Sequence, residues 1–222
     1  MAERYANLIG GQWRQGERFH ENRNPSDVGD LIGLYAQADA ADVEEAVAAG
    51  RAAMPAWRAT GLEQRQAILH RIGTELMERS AELGELLSRE EGKPLAEGRG
   101  EVFRAGQFFT YYAAEVLRQL GENADSVRPG IEIDMRREPM GLVAVVSPWN
   151  FPTATASWKI APALAYGNAV IWKPANETPA SAWALAEIIH RAGLPEGTFQ
   201  LLMGPGAVVG NGLAGHRGVD AI

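Results

Sequence analysis

The last third of the chain alternates between short apolar runs and helical segments, which restricts the possible folds more than any other feature. Residues 142–146 are Leu-Val-Ala-Val-Val, a continuous apolar run typical of a parallel strand buried on both faces. Two further strands are predicted over residues 169–172 and 198–203, with helical segments between the strands. Residues 219–222, Val-Asp-Ala-Ile, are expected to begin a fourth strand. Consecutive β-α-β units predict an α/β fold with a Rossmann-like, doubly wound parallel sheet over residues 140–222.

Residues 1–125 predict a β-hairpin followed by the helical part of the same domain. Two glycines at positions 10–11 between apolar runs are typical of a hairpin turn, and residues 24–27 mark a second turn. Apolar residues then recur at helical spacing behind the candidate caps Asp39 and Asp42. We expect further helices over residues 62–79, from about residue 83 to Gly92, and over roughly residues 95–120.

The longest of these predicted helices carries several aromatic residues at helical spacing. They are Phe103, Phe108, Tyr111 and Tyr112. Aromatic side chains bury large apolar areas, and apolar residues at this spacing share one face of a helix. We therefore expect these four side chains to lie in the hydrophobic core.

Residues 126–139 have a different pattern, which follows the helices. Ile131, Ile133 and Met135 alternate with charged residues, and prolines stand on both sides of the segment. A period of two is typical of a strand with one face toward solvent. We interpret this segment as a strand that makes an excursion between two domains.

Three loops with chemically useful residues follow the three predicted strands. Residues 147–152 are SPWNFP, residues 173–179 are KPANETP and residues 204–210 are GPGAVVG. Ligands of open α/β sheets bind outside the carboxyl ends of the strands, and an amide, a cation and glycine-rich backbone at a helix start suit a dinucleotide. Taken singly, Asn150 is equally consistent with a turn cap, Lys173 with a solvated strand end, and the glycines with a tight turn. Their occurrence at corresponding strand ends favours a cofactor site.

SPWNFP, KPANETP and GPGAVVG in this order resemble the aldehyde dehydrogenase superfamily. The resemblance covers essentially all 222 residues, because Asn24-Pro25, Trp57 and the segment EGKP at 91–94 also stand in the family's order. It implies an aldehyde dehydrogenase-like fold, NAD or NADP as cofactor, and oxidation of an aldehyde to a carboxylic acid. The sequence is similar to semialdehyde dehydrogenases, including those that act on 2-oxoglutarate semialdehyde.

The resemblance also implies roles for individual residues. Asn150 matches the asparagine whose amide donates to the oxyanion of the reaction intermediate, a contribution of about 3 kcal/mol in comparable enzymes. Phe151 and Trp158 match positions that line the substrate tunnel, and Lys173 matches the lysine that hydrogen-bonds the adenosine ribose. The complete set of implied cofactor contacts is Ser147, Pro148, Trp149, Asn150, Lys173, Ala175, Asn176, Gly206, Ala207 and Gly210.

Asn176 departs from the pattern of many NAD-preferring members of the family, which have glutamate at this position. A carboxylate there accepts from the ribose 2′-hydroxyl and would repel a 2′-phosphate. Asparagine removes that repulsion. We therefore expect the parent enzyme to tolerate NADP.

A second departure concerns the nucleophile, since the chain contains no cysteine. The resemblance implies a cysteine nucleophile and a glutamate general base that both follow residue 222, in a catalytic domain that we expect to be absent here. Because residues 219–222 are expected to begin a strand of the sheet, we interpret the chain as truncated and inactive alone. The alternative hypothesis is a non-catalytic nucleotide-binding or interaction module.

Composition argues against several other classes of protein. The net charge of −7 disfavours a surface for nucleic acid. No stretch approaches the roughly 20 apolar residues of a membrane span, and the N-terminus is polar, so we expect a cytoplasmic protein without a membrane partner. The four histidines are scattered, so no metal site is expected. The resemblance implies a homodimeric or homotetrameric parent, with the strand near residues 131–135 as its oligomerisation arm.

Overall fold

A computed structural model describes residues 3–118 and 121–222. The strands are β1 Arg4–Tyr5, β2 Asn7–Ile9, β3 Gln12–Arg14, β4 Phe19–Asn24, β5 Asp27–Ala36, β6 Glu122–Asp125, β7 Glu132–Met135, β8 Leu142–Val146, β9 Ala169–Lys173 and β10 Phe199–Leu201. The helices are α1 Ala40–Ala59, α2 Leu62–Glu78, α3 Ser80–Glu91, α4 Leu95–Glu115, α5 Ala154–Ala165, α6 Pro179–Arg191 and α7 Asn211–Gly215. A 3₁₀ turn at Val116–Arg118 follows α4, and a π-helical turn at Gly206–Gly210 precedes α7.

The largest sheet has the strand order β3-β2-β10-β9-β8, in which β8, β9 and β10 are parallel. α1 and α7 cover one face, where Leu142, Ile171 and Leu202 lie in the core. α5 and α6 cover the other face, with α2, α3 and α4 packed beyond them. The prediction of a doubly wound α/β fold is therefore confirmed. The predicted fourth strand is represented by a single parallel bridge between Val143 and Ala221.

Local signals in the first half explain where its elements begin and end. Asp39 accepts hydrogen bonds from the backbone amides of Ala41 and Asp42 at 2.8 and 3.1 Å, and Asp42 closes a capping box at the start of α1. Gly92 ends α3 with a φ of 88°, a conformation that favours glycine. The turns predicted at residues 10–11 and 24–27 are also present.

The strands β4 and β5 were not predicted from the sequence; only the turn between them was. They pair antiparallel with register shifts near Asn22 and Arg23, and β1 joins them to form a three-stranded sheet. β4 has the sequence FHENRN, so its polar residues hide the alternation that indicates a strand. The hairpin β2–β3 was predicted, but its pairing with β10 depends on residues far apart in the chain.

The expectation that the four aromatic residues of α4 lie in the core was wrong. Phe103 and Tyr111 are 45% and 58% exposed, and Phe108 and Tyr112 are only partly buried. The buried face of α4 consists mainly of small residues because α4 crosses α2 closely: a Cβ on Gly106 would lie 2.6 Å from the carbonyl oxygen of Gly73. The aromatic rings therefore lie on another face of the helix. The predicted end of this helix, at residues 119–120, lies outside the described residues.

The segment after α4 forms a two-stranded antiparallel hairpin, β6–β7. Glu122 pairs with Met135 and Asp125 with Glu132, so the ladder begins within the range that the sequence assigned to the helical part. β7 is the predicted strand, but both of its faces are exposed, including Ile133 at 42% and Met135 at 48%. Within residues 3–118 and 121–222, no helix is long and apolar enough to cross a membrane.

Candidate functional site

The three loops identified in the sequence follow neighbouring parallel strands. Val146 at the end of β8 pairs with Lys173 at the end of β9, and Leu201 at the end of β10 pairs with Trp172. Residues 147–152, 173–179 and 204–210 therefore start from one edge of the sheet. This is the edge at which open α/β sheets bind ligands.

The first residue of the loop after β8 is hydrogen-bonded to the sheet, and the residues that follow it are exposed. The Ser147 amide donates to the Lys173 carbonyl at 3.2 Å, and Trp172 Nε1 donates to Ser147 Oγ at 2.9 Å. Pro148, Trp149 and Asn150 are exposed, Trp149 by 54%. The base of the loop is thus part of the folded sheet, and its exposed residues are accessible to a ligand.

A buried group of charges holds the far side of the same loop. Lys93 Nζ donates to the Asn150 carbonyl oxygen at 2.9 Å, and it pairs with Glu101 at 2.7 Å and Glu91 at 2.8 Å. Glu101 Oε1 in turn accepts from the amides of Thr153 and Ala154, at 3.0 and 3.1 Å. A carboxylate at a helix N-terminus is stabilised by the unpaired amides there. The charged group therefore fixes the main chain of Asn150 relative to the start of α5.

The ion pairs of this group keep Lys93 charged despite its burial. Burial alone lowers the pKa of Lys93, but its hydrogen bonds to Glu101 and Glu91 raise that pKa above the ordinary value. Burial raises the pKa of Glu91, against the effect of Lys93. Residues 91–94 were predicted only as a family signature, and Glu101 was not predicted as a site residue. The available signal was an acidic residue among the small buried residues of α4.

A second buried carboxylate holds the loop after β9. Glu90 is buried and accepts from the amides of Ala180 and Ser181 at 2.5 and 2.9 Å, from Ser181 Oγ at 2.6 Å, and from Asn22. It therefore caps the start of α6. Burial raises the pKa of Glu90 to about 7, although its hydrogen bonds oppose the increase. The sequence analysis also missed this residue.

The loop after β9 contains buried polar atoms that have no hydrogen-bond partner in the described residues. Lys173 is 6% exposed; burial lowers the pKa of its ammonium, and Glu177 only partly opposes this. In the part of the chain that the structure describes, Asn176 Oδ1 and Thr178 Oγ1 are buried without a hydrogen-bond partner. Unsatisfied buried polar atoms are rare in folded proteins and call for an explanation. A buried cation beside unsatisfied oxygens suits a ligand with hydroxyl groups. Ala175, between Lys173 and Asn176 in the chain, is nearly buried.

The third loop presents open backbone. Gly206 and Ala207 are exposed in the π-helical turn, and a Cβ on Gly206 or Gly210 would meet no atom of the described residues within 4 Å. A Cβ on Gly204, by contrast, would lie 2.7 Å from a methyl group of Val209. Packing within the protein thus explains why position 204 is glycine, but it does not explain the glycines at positions 206 and 210. Gly206 and Gly210 leave the backbone accessible to a ligand.

The two predicted tunnel residues are exposed on the side of the loop that faces α4. Phe151 is 51% exposed, and its ring lies 4.3 Å from Lys93 Nζ. Trp158 is 56% exposed and stacks on Phe108, with ring centroids 5.4 Å apart. Trp158 lines an open cleft of about 560 Å³ together with Arg104, Tyr111 and other residues of α4. Across the described ranges, no three histidine, aspartate or glutamate side chains converge in a possible metal site.

Comparison with known proteins relates this geometry to one family. The sequence profile of the aldehyde dehydrogenase family matches residues 13–222. The chain is 42% identical to the alpha-ketoglutaric semialdehyde dehydrogenase of Bacillus subtilis, over 98% of this chain and 45% of that protein. It is 38% identical to the NADP+ succinate-semialdehyde dehydrogenase of Escherichia coli, over 94% of this chain and 44% of that protein.

A solved structure agrees with these sequence relationships. The betaine aldehyde dehydrogenase of Staphylococcus aureus in complex with NAD+ superposes with a TM-score of 0.93 and 31% identity, over 97% of this chain and 44% of that chain. The present chain thus spans slightly less than half the length of the relatives it matches.

Proposed function

The chain belongs to the aldehyde dehydrogenase family, and on that premise we propose that the protein carrying it, here called the parent protein, oxidises an aldehyde to a carboxylic acid with NAD+ or NADP+. The observation that carries the proposal is the arrangement at the carboxyl edge of the sheet. A buried lysine and unsatisfied buried oxygens at residues 173–178 adjoin the loop that presents Asn150. This combination suits a dinucleotide at the point where a reacting carbonyl would also lie.

The proposed cofactor contacts divide according to chemistry. Lys173 donates to the hydroxyl groups of the adenosine ribose, and Asn176 Oδ1, which has no hydrogen-bond partner in the described residues, accepts from one of them. Ser147 to Asn150 line the cofactor cleft, and the exposed backbone at Gly206, Ala207 and Gly210 allows close approach of the cofactor. When bound, the cofactor supplies the electron acceptor for the oxidation.

Asn150 is the proposed oxyanion donor. Its carbonyl is fixed by Lys93, so its side-chain amide lies on a loop whose position is set before substrate binds. A donor placed in advance costs no reorganisation during the reaction and contributes about 3 kcal/mol to stabilising the transition state. The nucleophile is not in this chain, which contains no cysteine. We therefore propose that these 222 residues do not oxidise aldehydes alone.

The proposed substrates are semialdehydes that carry a second acidic group. The Bacillus subtilis and Escherichia coli relatives are named for semialdehydes of dicarboxylic acids. The proposed parent is a homo-oligomer, supported by the exposed apolar residues of β6–β7, since open strand edges and apolar surface favour pairing with another chain.

Steady-state kinetics of the parent protein test the proposed function. Formation of reduced cofactor is measured with a semialdehyde, for wild type and for Asn150→Ala. The variant should lose about 100-fold or more in kcat, because only the transition state carries the oxyanion. Full activity in Asn150→Ala would contradict the assignment. Cofactor binding without aldehyde oxidation by the wild type would favour the alternative of a non-catalytic nucleotide-binding module, for which the absence of cysteine in this chain also argues.

A further inference from the structure

The cleft between α4 and α5 is lined mainly by aromatic rings and contains an unusual cation. Phe108, Tyr111, Tyr112 and Trp158 supply the rings. Of the described residues that line this cleft, Arg104 alone carries a charge. We propose that Arg104 binds the distal anionic group of the substrate and so selects semialdehydes over neutral aldehydes. The assignment rests on the proposed function and adds to it the residue that reads the substrate's second acidic group.

The guanidinium of Arg104 is held in place without being neutralised. Its Cζ lies 5.2 Å from the centroid of Phe108, and Nη1 donates to Gln107 Oε1 at 3.0 Å. No carboxylate lies within ion-pair distance of Arg104 in residues 3–118 and 121–222. Elsewhere in the helical layer, Arg79 and Arg191 both pair with Glu75. Arg104 therefore retains its charge and most of its donors for a ligand.

The position of Arg104 along α4 relates the cleft to the reacting loop. Glu101 lies three residues earlier, roughly 4.5 Å along the helix axis and on the same side. Glu101 binds the start of α5 and Lys93, and Lys93 binds the Asn150 carbonyl. On α5, Trp158 lies about one turn beyond the amides that Glu101 caps and stacks on Phe108. Arg104 thus lies about one helical turn along α4 from the carboxylate that orders the Asn150 loop, a spacing comparable to the length of a short semialdehyde.

The chemistry of the cleft suits an anion with an apolar linker. A guanidinium presents parallel donors that match the two oxygens of a carboxylate. The aromatic rings suit the methylene groups between aldehyde and acid. Lys93 is already paired with Glu91 and Glu101, and Lys159, whose ammonium lies 5.6 Å from the Trp158 ring, is not among the residues that line the cleft. Arg104 is therefore the cation available to the distal group.

Steady-state kinetics of the full parent protein with two matched aldehydes test the assignment. Succinate semialdehyde carries a distal carboxylate, and butanal has the same number of carbons without it. Arg104→Gln should lower kcat/KM for succinate semialdehyde by about 10- to 100-fold, mainly through KM, since a charged hydrogen bond contributes about 1.5–3 kcal/mol. Its kcat/KM for butanal should be unchanged or higher. Arg104→Lys should recover part of the loss, and Arg99→Gln, an exposed change on the same helix, should have no effect.

Two further outcomes separate the inference from the proposed function. If wild type oxidises neither aldehyde with NAD+ or NADP+, the proposed function fails, and the role of Arg104 fails with it. If wild type oxidises both, and Arg104→Gln changes both kcat/KM values equally or neither, the role of Arg104 is overturned while the proposed function stands. The salt dependence of KM is a further measurement. Added salt should raise KM for succinate semialdehyde in wild type and have little effect on that KM in Arg104→Gln. Equal salt dependence in the two proteins would also overturn the role.

Discussion

Replacing Glu101 with glutamine removes one charge from the buried group that holds the Asn150 loop. In the native protein Oε1 accepts from the amides of Thr153 and Ala154, and Oε2 accepts from the ammonium of Lys93. All three partners are donors. A glutamine has one oxygen and one NH₂ group, so its NH₂ group must face a donor in either orientation. Glutamine therefore cannot replace the carboxylate despite having nearly the same shape.

The expected loss of stability follows from the burial of the Glu101–Lys93 pair and from the charge of Lys93, which would remain buried. The Glu101 side chain is 2% exposed and that of Lys93 is 9% exposed, so water cannot replace the missing hydrogen bonds. Breaking one partner of a buried ion pair costs about 3–5 kcal/mol, because the remaining charge stays buried. Lys93 retains Glu91, which places Glu101→Gln near the lower end of that range, at about 3 kcal/mol. Domains of ordinary stability have only about 5–15 kcal/mol in total.

Urea unfolding of the 222-residue chain, followed by tryptophan fluorescence, measures this loss of stability. Glu85→Gln is the matched control because Glu85 is an exposed carboxylate on the neighbouring helix α3, and it should change the free energy of unfolding by less than about 0.5 kcal/mol. Hydrogen exchange at Thr153 and Ala154 should accelerate in Glu101→Gln only. A loss below about 1 kcal/mol, or unchanged exchange at those two amides, would refute the reasoning that the carboxylate holds the start of α5.

Three further predictions concern the cofactor, pH and assembly. Asn176→Glu should lower the ratio of kcat/KM for NADP+ to that for NAD+ in the parent protein by about tenfold, because a carboxylate repels the 2′-phosphate; an unchanged ratio would contradict this. Because burial raises the pKa of Glu90 to about 7, its contribution to stability is present below pH 4.5 and is lost as the pH rises through 7. Urea unfolding of wild type should therefore lose about 3 kcal/mol relative to Glu90→Gln over that interval, and parallel pH profiles would be evidence against it. Ile133→Lys should reduce light scattering by the isolated chain and weaken assembly of the parent without changing the unfolding midpoint, since Ile133 is exposed on β7; equal scattering would exclude this surface.

Patterns within short segments made much of the fold predictable. The apolar run of β8, the caps of α1 and the glycine that ends α3 each act within a few residues. The site loops could be located because parallel strands place their carboxyl ends at one edge. The resemblance to a family then supplied roles for Asn150 and Lys173 that no local pattern contains.

Other features depend on interactions between distant parts of the chain and could not be predicted. Glu90 caps a helix 90 residues later, and Glu101 caps one 52 residues later, so neither role has a local signal. The face of α4 that is buried depends on the close approach of Gly73 and Gly106, and this displaced the aromatic residues from the core. Phe108, Tyr111 and Tyr112 line the cleft that contains Arg104, so a prediction that placed them in the core could not identify this cation.

The most direct test of the account is calorimetric titration of the parent protein with NAD+ and NADP+, for wild type, Lys173→Met and the exposed control Arg128→Met. Methionine fills a similar volume without the charge, so the fold should be retained while a charge-assisted hydrogen bond is lost. The account predicts saturable binding of both cofactors to wild type and to Arg128→Met, and binding at least about tenfold weaker to Lys173→Met. Equal affinity in Lys173→Met, or no binding of either cofactor to wild type, would contradict the claim that this edge of the sheet is the cofactor site.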